Sequence, residues 1–135
     1  MSVAVAHQAS SPVRTLALLE AAREARFRET DLAVLHVVET FDRDVEEAYR
    51  VSLRDEIEAA LAEVGATGVS WDLHLATAPV DVAETILELA GQVGATLLVI
   101  GARRRSPVGK LLLGSVTQTL ILQANMPVFV VKPTD

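Results

Sequence analysis

The sequence predicts an α/β protein: a three-layer Rossmann-like or flavodoxin-like fold with a five-stranded parallel sheet. Two observations carry that expectation. Short, almost continuously apolar runs recur at residues 3–6, 32–38, 96–100 and 127–131. Strands of that kind are buried on both faces, as in a parallel sheet covered by helices. Between them lie stretches with helical periodicity, and alternating strands and helices imply parallel pairing with right-handed crossovers. A length of 135 residues suits one compact domain, so the chain is expected to form a single domain over residues 1–135.

Each element follows from local chemistry. Residues 3–6 (VAVA) form the first strand. Ser11 as N-cap and Pro12 at the first helical position start a helix that runs to Arg28. Residues 32–38 (LAVLHVV) form the second strand, polar only at His36. Val45, Tyr49, Leu53, Ile57, Ala60, Leu61 and Val64 recur at helical spacing, which predicts one long amphipathic helix over residues 43–64. Gly65 and Gly68 end it. Residues 69–75 then alternate: Val69, Trp71, Leu73 and Leu75 against Ser70, Asp72 and His74. Alternation marks a half-exposed strand at a sheet edge. Pro79 opens the next helix, Asp81 and Glu84 have capping-box spacing, and Val82, Ala83, Ile86, Leu87, Ala90 and Val93 form its apolar face. Residues 96–100 are a buried strand, 101–113 a loop, 114–124 a helix and 127–131 the last strand.

Composition narrows the function. Eighteen acids against twelve bases give a net charge of −6. Residues 1–88 hold 17 acids and 7 bases, whereas residues 89–135 hold one acid and five bases. Four of those five bases are Arg103, Arg104, Arg105 and Lys110. The acidic total argues against broad binding of nucleic acid or an anionic membrane, but not against one small anion at the basic loop. The absence of cysteine excludes disulfides, thiol nucleophiles and Cys-based zinc sites. No signal peptide and no membrane-length apolar run is evident, so a soluble cytoplasmic protein is expected.

In an open parallel sheet, ligands bind beyond the carboxyl ends of the strands, near the switch in strand order. The segments expected there are residues 7–11, 37–42, 76–79 and 101–115. In the last, Gly101 follows a buried strand and Gly114-Ser115 precedes a helix. Between them lie four bases and no acid. A helix N-terminus offers unpaired N–H groups and a positive dipole end, Gly114 admits a phosphate close to the backbone, and Ser115 offers a hydroxyl. The pattern is neither a Walker loop nor GxGxxG. Composition alone equally allows a solvated basic loop followed by an ordinary helix.

At this point the chain resembles the universal stress protein family, over nearly its whole length and most strongly in residues 95–133. The nucleotide-binding branch of that family carries Gly, two residues, Gly, nine residues, then Gly-Ser or Gly-Thr. Gly101 matches the first glycine and Gly114-Ser115 the final pair. Leu35-His36-Val37 and Val3-Ala4-Val5 match two of the family's strands. The resemblance implies a stress-response regulator binding ATP, with Mg or Mn as counter-ion. Val37 would meet adenine through its backbone, and Gly101, Gly114, Ser115, Val116 and Thr117 would surround ribose and phosphates. Arg104 replaces the second motif glycine; Arg103 and Arg104 could grip phosphate directly. His7 stands where the family has an acid against adenine. A member acting through dimer or partner contacts without nucleotide, and a slow ATP hydrolase, are the alternative functions.

Other candidates read more plainly. His7, His36 and His74 lack metal-ligand spacing. His36 is expected to be a satisfied core histidine, His74 to face solvent, and His7 to touch ligand. Ser10, Ser11, Ser106 and Ser115 lack a nucleophile-elbow pattern, so a binding module fits better than an enzyme. Asp42 and Asp44 are expected to start and charge a helix rather than hold metal. Glu46, Glu47, Asp55, Glu56 and Glu58 read as a solvated helix face. The apolar last strand is an edge that needs cover. The resemblance supplies it as a homodimer through Val128, Phe129, Val130 and Val131.

Overall fold

The structure is a computed structural model of the chain. It describes residues 1–8, 14–40, 42–66, 68–78, 80–102, 104–105 and 111–133, with the side chains of Arg43, Arg104, Arg105, Leu111 and Leu112 outside that description. Five strands form one sheet: β1 (Ser2–Ala6), β2 (Asp31–Val38), β3 (Trp71–Thr77), β4 (Ala95–Gly101) and β7 (Val128–Val131). Their order is β3-β2-β1-β4-β7, and every pairing is parallel. The helices are α1 (Arg14–Phe27), α2 (Arg43–Glu63), α3 (Val82–Gln92) and α4 (Ser115–Gln123). The predicted α/β sheet is therefore present, with β3 at one edge.

Alternate residues of the central strands feed two cores. Val3, Val5, Leu32, Val34, Leu97 and Val99 pack with Leu18 of α1 and Leu53, Ile57 and Leu61 of α2. Ala4, Ala33, Leu35, Leu98 and Ile100 pack with Ala83, Ile86 and Ala90 of α3 and Leu120 of α4. This two-residue alternation is the strand period itself, and covering both faces gives the three layers.

Helix ends are set by side chains at the predicted places. Asp42 caps α2, its Oδ1 accepting from the Asp44 amide at 3.2 Å. Asp81 caps α3, its Oδ1 accepting from the Glu84 amide at 3.0 Å. Gly94 takes φ +65° in the turn from α3 to β4, a conformation that costs little without a Cβ.

Three boundaries differ from expectation. β3 starts at Trp71, opposite Leu32 of β2, rather than at residue 69, although the Ser70 carbonyl already accepts from the Leu32 amide at 2.9 Å. β7 starts after Pro127, which lacks an N–H, although its carbonyl accepts from the Leu98 amide at 3.0 Å. Residues 101–113 are not wholly loop: β5 (Arg104–Arg105) and β6 (Leu111–Leu112) form a small antiparallel ladder. The expected α1 start at Ser11 and Pro12, and Pro79 before α3, lie outside the described residues.

Candidate functional site

The strand order sets the site. The chain leaves β1 for β2 on one side and later returns to β4 on the other, so the switch point lies between β1 and β4. At their carboxyl ends a crevice is lined by Ala6 of β1 and Gln8 beyond it, Ala17 of α1, Ile100 and Gly101 of β4, and Val116 and Thr117 of α4. Ile86 and Leu120 extend its wall toward the α3/α4 core. Its free volume is about 20 Å³, room for a single water. A larger ligand would therefore lie across its rim or displace a wall.

The first turn of α4 faces this rim. Gly114 is its N-cap and supplies no side-chain cap. The intrahelical ladder begins with the Gln118 amide donating to the Gly114 carbonyl at 3.0 Å. The amides of Ser115, Val116 and Thr117 thus precede the ladder, and an anion is the natural partner for such donors. Gly114 has φ −69° and ψ 166°, a conformation open to any residue. Backbone geometry does not require glycine here, whereas close approach of a ligand would.

The structure brings Gly101, Gly114, Ser115, Val116 and Thr117 to one end of the sheet. Val37 sits at the same end of β2, half-buried against the α3/α4 core. Arg104, where the family has a glycine, has strand backbone paired with Leu112 and does not take a positive φ. Its side chain lies outside the description, as does Arg103 entirely. Gln8, missed in the sequence, is an exposed polar residue at the crevice.

The histidines separate. His7 and His36 are both 4% exposed, and their Nδ1 atoms lie 3.1 Å apart. His36 Nδ1 is also 3.0 Å from the His7 carbonyl, and His36 Nε2 is 2.9 Å from the Tyr49 hydroxyl. His36 is thus the satisfied core histidine anticipated. Instead of lining the crevice, the His7 ring contacts His36, and its Nε2 is buried without a hydrogen-bond partner among the described residues. Burial, then His36 and Arg14, push the His7 pKa down from 6.5 to about 4. Burial also lowers that of His36, against opposing contributions from the His7 carbonyl and Glu56. His74 is half-buried rather than fully solvent-facing.

Among the described residues, no group of three His, Cys, Asp or Glu side chains could hold a metal ion. No described helix is long and apolar enough to cross a membrane.

Comparison with known proteins decides the family. The family model of the universal stress protein family matches residues 1–132. The chain belongs to the universal stress protein family. A universal stress protein of Mycolicibacterium smegmatis is 35% identical over 127 residues, covering 92% of this chain and 92% of that protein. The solved universal stress protein from Archaeoglobus fulgidus superposes with a TM-score of 0.76 at 31% identity, covering 96% of this chain and 97% of that one. A universal stress protein from Archaeoglobus fulgidus in complex with dAMP gives a TM-score of 0.72 at 28% identity, covering 96% of each chain. The family's α/β architecture accounts for the sheet and for the crevice at its switch point.

Proposed function

We propose that this universal stress protein family member is a cytoplasmic, homodimeric regulator that binds an adenine nucleotide, ATP foremost, at the β1/β4 switch point. The carrying observation is the convergence of Gly101, the first turn of α4 and the Gln8 rim on one crevice. The dAMP complex of a relative 28% identical to this chain supports the base class. In this reading the base lies toward Val37 and the carboxyl end of β2. Phosphates meet the amides of Ser115, Val116 and Thr117, with Arg103 and Arg104 adding charge. A divalent ion, Mg or Mn, would ride on the phosphates, because the described residues form no metal cluster of their own. Binding requires no nucleophile or base, so any hydrolysis is slow and incidental.

Equilibrium binding of labelled ATP tests the proposal. Gly114→Val should weaken binding at least tenfold while the fold persists, because its φ admits valine. Arg104→Ala should weaken it less. No saturable binding by the wild type at millimolar nucleotide would reject the site.

The dimer rests on the β7 edge. Among the described residues β7 pairs with β4 alone, and residues 111–131 carry no charge. Phe129 packs into the α1/α2 core while Val128 and Val130 pack into the other. Val131 is buried. A Phe129→Glu variant would therefore disturb the core as well as an interface. Val128→Lys meets the same objection in the other core, so sedimentation of either variant is read alongside its unfolding curve, and an unchanged dimer would reject the β7 contact.

A further inference from the structure

The buried His7–His36–Tyr49 chain takes no part in the nucleotide reading, and its hydrogens can be assigned from their partners. A carbonyl only accepts, so His36 Nδ1, 3.0 Å from the His7 carbonyl, carries its hydrogen. The same N–H faces His7 Nδ1 at 3.1 Å, which makes His7 Nδ1 the lone-pair atom. Neutral His7 then carries its hydrogen on Nε2, which is buried without a partner among the described residues. On neutral His36 the Nε2 atom accepts from the Tyr49 hydroxyl at 2.9 Å. One hydrogen thus occupies the contact between the two rings.

We propose that this contact is an acid-sensitive lock, closed while His7 Nδ1 is a lone pair and opened when that atom takes a proton. Closed, it ties the carboxyl ends of β1 and β2 together with α2 behind them. Opened, it sets two N–H donors against each other about 3 Å apart inside the protein; His36 keeps the His7 carbonyl as acceptor, but the new His7 N–H faces a donor.

The two rings answer acid differently. His36 can accept a proton at Nε2, because the Tyr49 hydroxyl can turn from donor to acceptor. The Glu56 carboxylate of α2 favours that charge. His7 has no such outlet: its remaining basic atom is the one in the contact. Arg14 of α1 faces it and opposes a second charge, as does His36. Arg14 and Glu56 pair across α1 and α2 at 3.4 Å, with both side chains partly exposed. These are the charged and titratable groups bearing on the two rings from β2, α1 and α2. His7 lies between Ala6 and Gln8 of the crevice on one side, and His36 precedes Val37, so an open lock loosens the crevice floor. The lock is a property of the fold and does not depend on what the crevice binds.

The native pKa of His7 lies below its ordinary 6.5, so the unfolded chain takes the proton first as pH falls. Stability is then full above about pH 6.5 and declines toward pH 4. His7→Asn is the matched variant, since its side-chain oxygen can accept from the His36 N–H without titrating. Between about pH 7 and about pH 4.5 the folded-to-unfolded ratio of the wild type should fall tenfold or more beyond that of the variant. Ring-¹⁵N spectra of the wild type should show His7 hydrogenated at Nε2 and bare at Nδ1 down to about pH 5. Parallel acid losses in both proteins overturn the lock. So does His7 titrating with an ordinary midpoint or carrying its hydrogen on Nδ1. If His7→Asn fails to fold, the ring spectra decide alone.

Discussion

On the α1/α2 face of the sheet, α1 alone buries Ala17, Leu18, Ala21, Ala22 and Ala25, and Ile57 of α2 is fully enclosed. On the opposite face α4 buries only Leu120, while Ile121 is partly open and Leu122 is 82% exposed. The same strands feed both layers, so the difference lies in the helices. Small alanines let α1 sit close to the sheet, although a hollow of about 210 Å³ lined by Leu19, Ala22 and Ala66 lies between α1 and the turn after α2. The α4 layer is shallower, and its first turn remains available at the crevice rim. The crevice draws mainly on the α3/α4 side of the sheet, with Ala17 of α1 also lining it. The α1/α2 side also encloses a polar contact, His7–His36.

This contrast can be broken experimentally. Ile57→Ala should cost about 2–5 kcal/mol in chemical denaturation, the usual range for a closed core. Ile86→Ala should fall near the low end, about 2 kcal/mol, because Ile86 already borders the crevice and its neighbours can relax into that space. Equal losses would erase the distinction between the layers. Acidification probes the α1/α2 layer from within. Depression of the His7 pKa to about 4 stabilises the fold above the unfolded value of 6.5. That contribution, roughly 3 kcal/mol, should disappear progressively as pH drops from 6.5 to 4 in a stability titration.

Smaller effects sharpen the same comparison. Asp81→Ala removes the cap of α3 and should cost about 1 kcal/mol by thermal or denaturant unfolding. Hydrogen exchange should rise first in the α3/α4 layer rather than in α1. Arg54 pairs with Asp72 at 2.7 Å and lies over the Trp71 ring at 5.5 Å on the exposed edge. Arg54→Met should cost less than about 1 kcal/mol, with the ionic part vanishing in high salt.

Much of this was legible before any coordinates. The apolar runs name β1, β2, β4 and β7 because strands buried on both faces have nothing polar to present, and the acids at Asp42 and Asp81 mark helix starts because unpaired amides need acceptors. The small ladder of Arg104–Arg105 with Leu111–Leu112 escaped notice because two-residue strands show no periodicity. The start of β3 slipped by two residues because alternation fixes a face but not where pairing begins. Of the site, Gly101 and Gly114-Ser115 stood out by their place between strand and helix. Gln8 carried no such signal.

The sequence by itself determined the layer architecture, the helix caps and the family, all of which depend on local periodicity and on residues close in the chain. Tertiary structure decided which distant side chains meet. His7 and His36 stand 29 positions apart, and only the parallel register that sets Ala6 opposite Leu35 brings their rings into contact. The switch between β1 and β4 is likewise a property of strand order, and strand order is settled by packing between elements that no local pattern records.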